Sequence, residues 1–278
     1  MSVITTSSFA KALWPGVNKW YGDAYNEFSP QWDKLFEKHT SRRAWEEDVG
    51  VSMFGLPSVK PEGAGISYDT SRQGFTSRYN HVVYALGFIV TREAVDDDLY
   101  DVVGKQKAKS LAFSMRQNKE IIAANIYNRA FSTSYTGGDG ASLIASAGGG
   151  GSSSHPNVAG GTWTNGVATA TDLSEAALEQ AVIDIRGFTN DRGLKIAVRP
   201  RKLIIPKELM FEADRILKTE GRTGTDLNDL NALKARGLIP EVVVNHYLTD
   251  TSNDAWFILT DVRDGLKYFE RRADEFTM

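Results

Sequence analysis

Small and apolar side chains are regularly spaced through the middle of the chain, over residues 91–131. In the second half of this stretch they recur every three or four positions, the spacing of one buried helix face. Thr91 is a suitable N-cap, and the acidic run at 96–98 precedes the basic residues, as the helix dipole favours. We predict one long helix over 91–131 with a joint at Gly104. Lys119 alone interrupts its apolar face, which consists of Ala108, Leu111, Ala112, Met115, Ile122, Ala123, Ile126 and Ala130.

Aromatic residues are unusually dense over residues 1–43. Several lie three or four positions apart, which predicts that they line one face of two short helices divided at Pro30. They belong either to the ordinary core or to an arm that lies across a neighbouring molecule, because large aromatic side chains dominate protein–protein contacts. The residues are Trp14, Trp20, Tyr21, Tyr25, Phe28, Trp32 and Phe36.

Between residues 44 and 90 the helical spacing gives way to alternation. Apolar residues alternate over 49–53 and again over 66–83, on either side of the turn-rich sequence LPSVKPEGAG. This pattern predicts a long two-stranded excursion. Because a two-stranded ribbon is only marginally stable by itself in water, we expect it to lie on another surface, most economically that of a partner chain. Phe75 and Tyr79 are therefore candidate intersubunit contacts.

Residues 136–166 are rich in Gly and Ser, a composition that sustains neither helix nor strand for long. We predict a flexible loop, and loops of this length are usually functional or disordered. The chain after it has the pattern of a mixed α/β lobe. The predicted elements are a helix over 171–188 capped by Thr171 or Asp172, a strand over 195–205, a helix starting at Pro206, a helical piece over 230–235, and strands over 241–249, 255–261 and 265–271.

The composition is that of an ordinary globular protein, with 41% hydrophobic and 24% charged residues. The chain has no cysteine, which excludes disulfides and thiolate zinc sites and fits a reducing cytoplasm. Its longest apolar stretch, around 82–90, is far shorter than the ~20 residues of a membrane span, so we expect no membrane and no export. A formal charge of −3 argues against sequence-specific nucleic-acid binding, although it leaves room for non-specific contact with DNA.

No group of residues has the spacing of a catalytic or metal site. Ser154, His155 and Asp139 could be assembled into a triad, but a mobile loop is a poor support for that geometry. The glycine runs at 137–140 and 148–151 neither follow a strand nor open a helix, so they do not match a phosphate-binding fingerprint. We therefore expect no catalytic residue, cofactor or metal. The histidines are scattered at His39, His81, His155 and His246.

The order of these parts resembles that of the major capsid proteins of tailed double-stranded-DNA phages, with the shell fold named after Hong Kong phage 97, and more closely the Mu-like head-subunit branch. Three stretches carry the resemblance: HVVYALGFIVTREAVDDDLYDVV, DGASLIASA with the later SSSHPN, and VRPRKLIIPKELMFEADRIL. In the third stretch Arg199 replaces the asparagine of the family's strand-then-helix element.

The resemblance implies an α+β fold of the Hong Kong phage 97 type. Each part of the chain then has a counterpart in that fold. The parts are an N-terminal arm over 1–43, an extended hairpin loop over 44–90, a peripheral domain with the spine helix and Gly-rich loop over 91–194, a mixed α/β axial domain over 195–260, and a return to the peripheral domain over 261–278.

It also implies a major capsid protein that self-assembles into hexamers and pentamers of an icosahedral shell around phage double-stranded DNA. The expected location is the virion, after assembly in the bacterial host cytoplasm. Its partners would be further copies of itself, portal, scaffolding and decoration proteins, and DNA through non-specific contact. The chain starts without a long charged leader, so we expect a separate scaffolding protein.

Maturation of such shells from a rounded precursor would require the spine, which is the predicted long helix over 91–131, to bend. We expect Gly104 to be the hinge. Lys60 is the only lysine in the tip of the excursion, but no cross-linking acceptor can be identified, which favours a solvated side chain.

Two other functions remain open at this point. One is a cellular nanocompartment shell of the same fold, similar to encapsulins, which would load an enzyme instead of DNA. The other is a soluble α/β enzyme in which the Gly-rich segment over 136–166 is a lid. The enzyme hypothesis lacks a catalytic constellation. Both shell hypotheses predict assemblies of many copies, whereas the enzyme hypothesis predicts a small particle with a pocket.

Overall fold

The computed structural model describes residues 10–89, 91, 93, 104–148, 151–221, 229–249 and 254–277. Residues 94–103, within the first half of the predicted long helix, lie outside the described residues. The described chain forms two compact units. The first contains residues from 1–43, 81–123 and 267–278, and the second contains residues from 44–80 and 124–266. The five-part division given above stays a prediction.

Helices and strands are interspersed along the chain in a mixed α/β arrangement. The α-helices are α1 (Ala10–Tyr25), α2 (Lys105–Asn128), α3 (Glu175–Arg186), α4 (Met210–Lys218) and α5 (Ala232–Arg236). The strands are β1 (Glu37–Thr40), β2 (Trp45–Val51), β3 (Gln73–Asn80), β4 (His155–Pro156), β5 (Thr162–Trp163), β6 (Pro200–Pro206), β7 (Glu241–Asn245), β8 (Phe257–Thr260) and β9 (Lys267–Glu270).

The first unit is assembled from distant parts of the sequence. Strand β9, close to the C-terminus, pairs in parallel with β1, with Glu37 opposite Lys267 and Thr40 opposite Glu270. This confirms the predicted terminal strand, in a shorter form. Of the two short helices predicted on either side of Pro30, the first is α1, whereas the second is only a single 3-10 turn at Trp32–Lys34.

Helix α2 confirms the second half of the predicted long helix and most of its apolar face. Ala108, Leu111, Ala112 and Ala123 are buried, but Ile126 is 45% exposed. The buried face of the last turn instead contains Ala124 and Tyr127, and the Tyr127 ring packs edge-on against Phe257 at 5.1 Å. The buried face thus shifts by one position at this end of the helix, where Tyr127 and Phe257 both belong to the second unit and their aromatic contact adds to the packing.

A three-stranded sheet forms the core of the second unit. Its order is β7-β6-β8, with β6 parallel to β7 and antiparallel to β8. Strand β6 is central and carries the near-continuous apolar run Leu203–Ile205, which is fully buried. Helices α3, α4 and α5 pack against it. The core residues are Leu173, Leu178, Val182, Leu203, Ile205, Ala213, Ile216, Leu233 and Ile239.

Two predicted helix starts are wrong. Helix α3 begins after Ser174, whose hydroxyl accepts a hydrogen bond from the Ala177 N–H at 3.2 Å, and not after Thr171 or Asp172. Serine fits this position because its short side chain reaches back to the free amides of the first turn. Pro206 closes β6 and precedes a 3-10 turn at Lys207–Leu209, so the α-helix begins only at Met210.

The Gly-rich segment is folded in its described parts, contrary to the prediction of a flexible loop. Ser142, which is fully buried, exchanges hydrogen bonds with Ser152: the Ser142 hydroxyl accepts from the Ser152 N–H at 2.8 Å, and the Ser152 hydroxyl accepts from the Ser142 N–H at 3.0 Å. Strands β4 and β5 form a further small antiparallel pair. Small side chains allow these close backbone approaches, and composition alone does not distinguish such packing from flexibility.

Within the described parts of the chain, no helix combines the length and the apolar character needed to cross a bilayer.

Candidate assembly surfaces

The excursion between β2 and β3 exposes a large apolar surface. Its two strands pair antiparallel, from Trp45 opposite Asn80 to Val51 opposite Gln73. The second strand, predicted over 66–83, is therefore shorter than expected and consists of β3 alone. Residues 53–68, which we call the tip, are not in strands. Val59 is 92% exposed and Tyr68 86% exposed. Exposed apolar patches of this kind mark interaction sites. The other exposed apolar residues of the tip are Met53, Phe54, Leu56 and Ile66.

A second exposed apolar segment lies in the first unit, directly after the ribbon. Residues 82–89 have the sequence VVYALGFI, which contains no charged residue. Val83 is 87% exposed and Ile89 is 95% exposed. The segment has no helix or strand structure. Water is a poor environment for so many adjacent apolar side chains, which indicates a surface that becomes covered.

The ribbon is held together by cross-strand pairs. Arg78 on β3 forms an ion pair with Glu47 directly opposite on β2, at 2.5 Å, and its guanidinium also lies over the Trp45 ring, 4.4 Å from the centroid. Phe75, a predicted intersubunit contact, is exposed, and Tyr79 is half-buried. Phe75 is therefore the more accessible of the two for a partner.

Strand β3 lies against the Gly-rich segment of its own chain. A Cβ atom placed on Gly138 would lie 2.5 Å from the Thr76 carbonyl oxygen, and one on Gly74 would lie 2.6 Å from Cγ2 of Val158. Such distances are too short for any side chain, so glycine permits the approach. The surface under β3 is thus supplied by the same chain, whereas the sequence favoured a partner chain.

The aromatic residues near the N-terminus are largely packed within the first unit. Tyr21 and Trp32 are buried, and Trp20, Tyr25 and Phe36 are half-buried. The Tyr21 ring stacks on Phe276 with centroids 4.7 Å apart. Phe28 is 64% exposed and is the one of this set most open to a partner, apart from Trp14, whose side chain lies outside the described residues.

Lys119, which interrupts the apolar face of α2, is the centre of a polar cluster in the first unit. Its ammonium lies 4.6 Å from the Trp32 ring centroid, 3.4 Å from a Glu270 carboxylate oxygen and 3.5 Å from an Asp274 carboxylate oxygen. The Tyr25 hydroxyl donates a hydrogen bond to Asp274. The cluster joins α1, α2 and the C-terminal segment by charge as well as by packing.

The cluster shifts the pKa values of its members. Burial tends to raise the pKa of the Glu270 carboxyl, but the hydrogen bond from Lys38 and the charge of Lys119 hold this pKa below its usual value. Burial, followed by the hydrogen bond to Asp274, raises the pKa of Tyr25 to about 12. Both shifts favour the observed pairing: Glu270 stays ionised and Tyr25 keeps its proton.

Gly104, the predicted hinge, is buried immediately before α2. The preceding residues 94–103 lie outside the described residues, so the hinge stays a prediction.

The Gly-rich segment brings Asp139 and His155 together. The His155 Nδ1 atom lies 2.6 Å from an Asp139 carboxylate oxygen, and the imidazole stacks on Trp163 with centroids 4.5 Å apart. The other ring nitrogen, Nε2, lies 3.3 Å from the side-chain oxygen of Asn165, which also accepts from the Ala145 N–H at 2.8 Å. In a hydrolytic triad this nitrogen would face a nucleophile. Here both nitrogens serve the folding of the segment.

A family model described as phage capsid protein matches residues 74–277. A search of curated proteins finds no match.

Two solved structures from bacteriophage JBD30 resemble the chain. Its procapsid protein is 15% identical, with a TM-score of 0.57, and the match covers 88% of this chain and 100% of that one. The protein of its capsid decorated with minor capsid protein trimers is 13% identical, with a TM-score of 0.58, and the match covers 89% of this chain and 100% of that one. At these identities the likeness concerns the fold.

Proposed function

The chain belongs to the phage capsid protein family, and from this premise we propose that it is the major head subunit of a tailed phage. In this proposal it assembles into hexamers and pentamers of an icosahedral shell that encloses double-stranded DNA. Assembly takes place in the bacterial host cytoplasm with a separate scaffolding protein and a portal. Decoration proteins are further partners, an idea supported by the decorated JBD30 capsid.

The proposed fold is that of Hong Kong phage 97 shells, in the Mu-like branch. Helix α2 is the spine, the β2–β3 excursion is the extended loop, and the sheet β7-β6-β8 belongs to the axial domain. The pairing of β9 with β1 supports a peripheral domain to which the C-terminal segment returns. The likeness to the JBD30 capsid and procapsid chains supports the whole assignment.

The exposed tip is the observation on which the mechanism of assembly rests. A shell is built from contacts repeated over many copies, and a loop laid on a neighbour adds buried area without thickening the wall. Burying an apolar side chain as large as Leu56 or Val59 contributes about 1.5–3 kcal/mol. Each contact can be weak because every subunit makes several of them. Phe28 and Phe75 add aromatic contacts to the same kind of interface.

The alternative functions have less support. A cellular nanocompartment shell would share the fold, but the family model and both solved structures are named for phage capsids. The enzyme hypothesis placed a mobile lid over 136–166, whereas the described part of this segment is packed under β3.

The test of the proposal is assembly of tip variants. The double variant Leu56→Ser/Val59→Ser removes apolar area from exposed positions and should leave the free energy of unfolding within about 0.5 kcal/mol of the wild type. We expect it to raise the subunit concentration required for shell formation at least about tenfold, the equivalent of 1.4 kcal/mol. The matched control Val59→Ile keeps the apolar surface and should assemble normally. Normal assembly of the double variant would contradict the proposed role of the tip.

A further inference from the structure

A tight turn in the second unit, residues 190–193, faces the base of the excursion. The side-chain oxygen of Asn190 accepts hydrogen bonds from the N–H groups of Arg192 at 3.0 Å and Leu194 at 2.8 Å. The Gly193 N–H donates to the Asn190 carbonyl at 3.0 Å, and Gly193 has a φ of +81°, which glycine adopts without strain. The turn is thereby fixed, and so are the positions from which Asp191 and Arg192 extend.

Asp191 contacts the chain around Met53, where it leaves β2 and enters the tip; we call this the first branch of the excursion. Both of its carboxylate oxygens lie 3.1 Å from the Met53 backbone nitrogen, whose N–H they accept. The Asp191 carbonyl accepts a hydrogen bond from the side-chain amide of Asn157 at 3.2 Å. One residue therefore connects the excursion to the Gly-rich segment.

Arg192 contacts this first branch and also the second branch, the chain around Asp69 and Thr70 that returns from the tip to β3. Its Nε atom donates to the Met53 carbonyl at 3.0 Å, and its Nη2 atom donates to the Thr70 carbonyl at 2.8 Å. The same Nη2 atom lies 3.4 Å from a carboxylate oxygen of Asp69. The planar guanidinium suits this task because its donors point in fixed directions, which a lysine ammonium cannot reproduce.

Asp69 completes the contact from the second branch. Its carboxylate accepts hydrogen bonds from the Gly55 N–H at 2.8 Å and from the Thr70 N–H at 2.8 Å. These two bonds, with a smaller contribution from the Arg192 charge, hold the pKa of the Asp69 carboxyl below its usual value. Hydrogen bonds thus connect the two ends of the tip to each other and to the turn at residues 190–193.

We infer that Asp191 and Arg192 are positioning residues for assembly: they form a clamp at the base of the excursion and fix the direction in which the apolar tip meets a second copy of the chain. The identity of that partner rests on the proposed function, whereas the clamp is a property of the single chain. An exposed ion pair alone contributes little. The clamp differs because it binds backbone groups of both branches.

The physical consequence is preorganisation. A loop held by its base loses less conformational freedom when its tip is buried on a partner than a loop that is free to swing. Removal of the clamp should therefore slow assembly without removing any atom of the contact surface. This separates the clamp from the tip, whose substitution removes contact area directly.

The first readout is hydrogen exchange of the unassembled chain in the variants Arg192→Gln and Asp191→Asn. We expect exchange of the Met53 and Gly55 amides to become at least about tenfold faster. Amides paired between β2 and β3 and the urea midpoint of unfolding should remain unchanged. The exposed Arg263, in the same unit, supplies the matched control Arg263→Gln, which should leave all of these values unaltered.

The second readout is the rate of assembly, which should fall several-fold in Arg192→Gln. Arg192→Lys should not restore it, because the charge alone cannot bridge both branches. Unchanged exchange at Met53 and Gly55 would overturn the clamp, and so would a uniform rise over the whole unit. Faster exchange with a normal assembly rate would overturn the positioning role. If the wild-type chain never assembles, the proposed function fails, while the exchange result still decides whether the clamp exists.

Discussion

Glu120 lies inside helix α2 with only 3% of its surface exposed, and its Oε2 atom accepts the backbone N–H of Trp32 at 2.9 Å. Its other carboxylate oxygen accepts the N–H of Gln31 at 3.0 Å. The carboxylate thus satisfies two amides where the chain enters the 3-10 turn after α1, as a capping side chain would. A buried acid is costly without such partners. Here it fixes the N-terminal segment on α2.

Removal of this carboxylate should destabilise the first unit. Glu120→Ala leaves two amides without their acceptor, and we expect a loss of about 3 kcal/mol in the free energy of unfolding. Glu120→Gln keeps one acceptor and should lose about 2 kcal/mol. Urea unfolding of the unassembled chain measures both values. The control Glu179→Gln, at a partly exposed position on α3, should change little. Equal stability of Glu120→Ala and the wild type would show that the amides find other acceptors.

Stability should fall in acid because of Glu270. Its pKa is held below the ordinary value of 4.5, so its ion pairs stabilise the fold above that pH and are lost as the pH falls through the lower, folded-state pKa. The variant Glu270→Gln should show a weaker loss of stability over this acid range. Unfolding curves measured from neutral pH downward test this. Identical pH profiles for the variant and the wild type would contradict it.

Tyr25 should contribute an alkaline dependence of the opposite sign. Burial, followed by the hydrogen bond to Asp274, raises its pKa from 10.0 to about 12, so the protonated side chain stabilises the fold below pH 10 and this stability is lost as the pH rises through the folded-state value. The ultraviolet absorbance of tyrosinate follows this titration. In Tyr25→Phe one late-titrating group should disappear. A titration that retains the same number of late groups would exclude Tyr25 as their source.

Gly138 should tolerate no side chain, because a Cβ atom there would meet the Thr76 carbonyl oxygen. We expect Gly138→Ala to displace β3 and to destabilise the chain by about 1–3 kcal/mol, as overpacking does. Gly65→Ala is the control, since nothing lies within 4 Å of its added methyl group. Thermal unfolding of the two variants gives the comparison. Equal midpoints would mean that β3 does not rest on the Gly-rich segment in solution.

Elements defined by local spacing could be predicted from sequence. The spacing of apolar residues along the chain predicted the alanine-rich face of α2 and the strand β6, and both are present. The roles of Lys119 and Glu120 could not be predicted in this way. Glu120 accepts a hydrogen bond from Trp32, 88 residues away, and Lys119 pairs with Glu270, 151 residues away, so no local spacing indicates either contact.

The candidate assembly surfaces could also be predicted only in part, because their contacts join residues that are distant in the sequence. Alternation predicted the ribbon, but the glycine content of residues 136–166 predicted a flexible loop where the structure has close packing at Gly138. Both situations require glycine, and only the position of the neighbouring strand distinguishes them. The clamp did have a local signal: Asn190 and Gly193 stand at the first and last positions of the four-residue turn, as is typical of tight turns. The two branches that it binds could not be inferred from that signal.

Shell formation is tested most directly by the particle mass of the chain, measured by sedimentation for the chain alone and coexpressed with the proposed scaffolding protein, followed by electron microscopy. We expect closed shells, tubes, or rings of five and six subunits, with masses of many copies of the 30.6 kDa chain. A chain that remains a stable monomer in the presence of the proposed scaffolding protein would contradict shell formation.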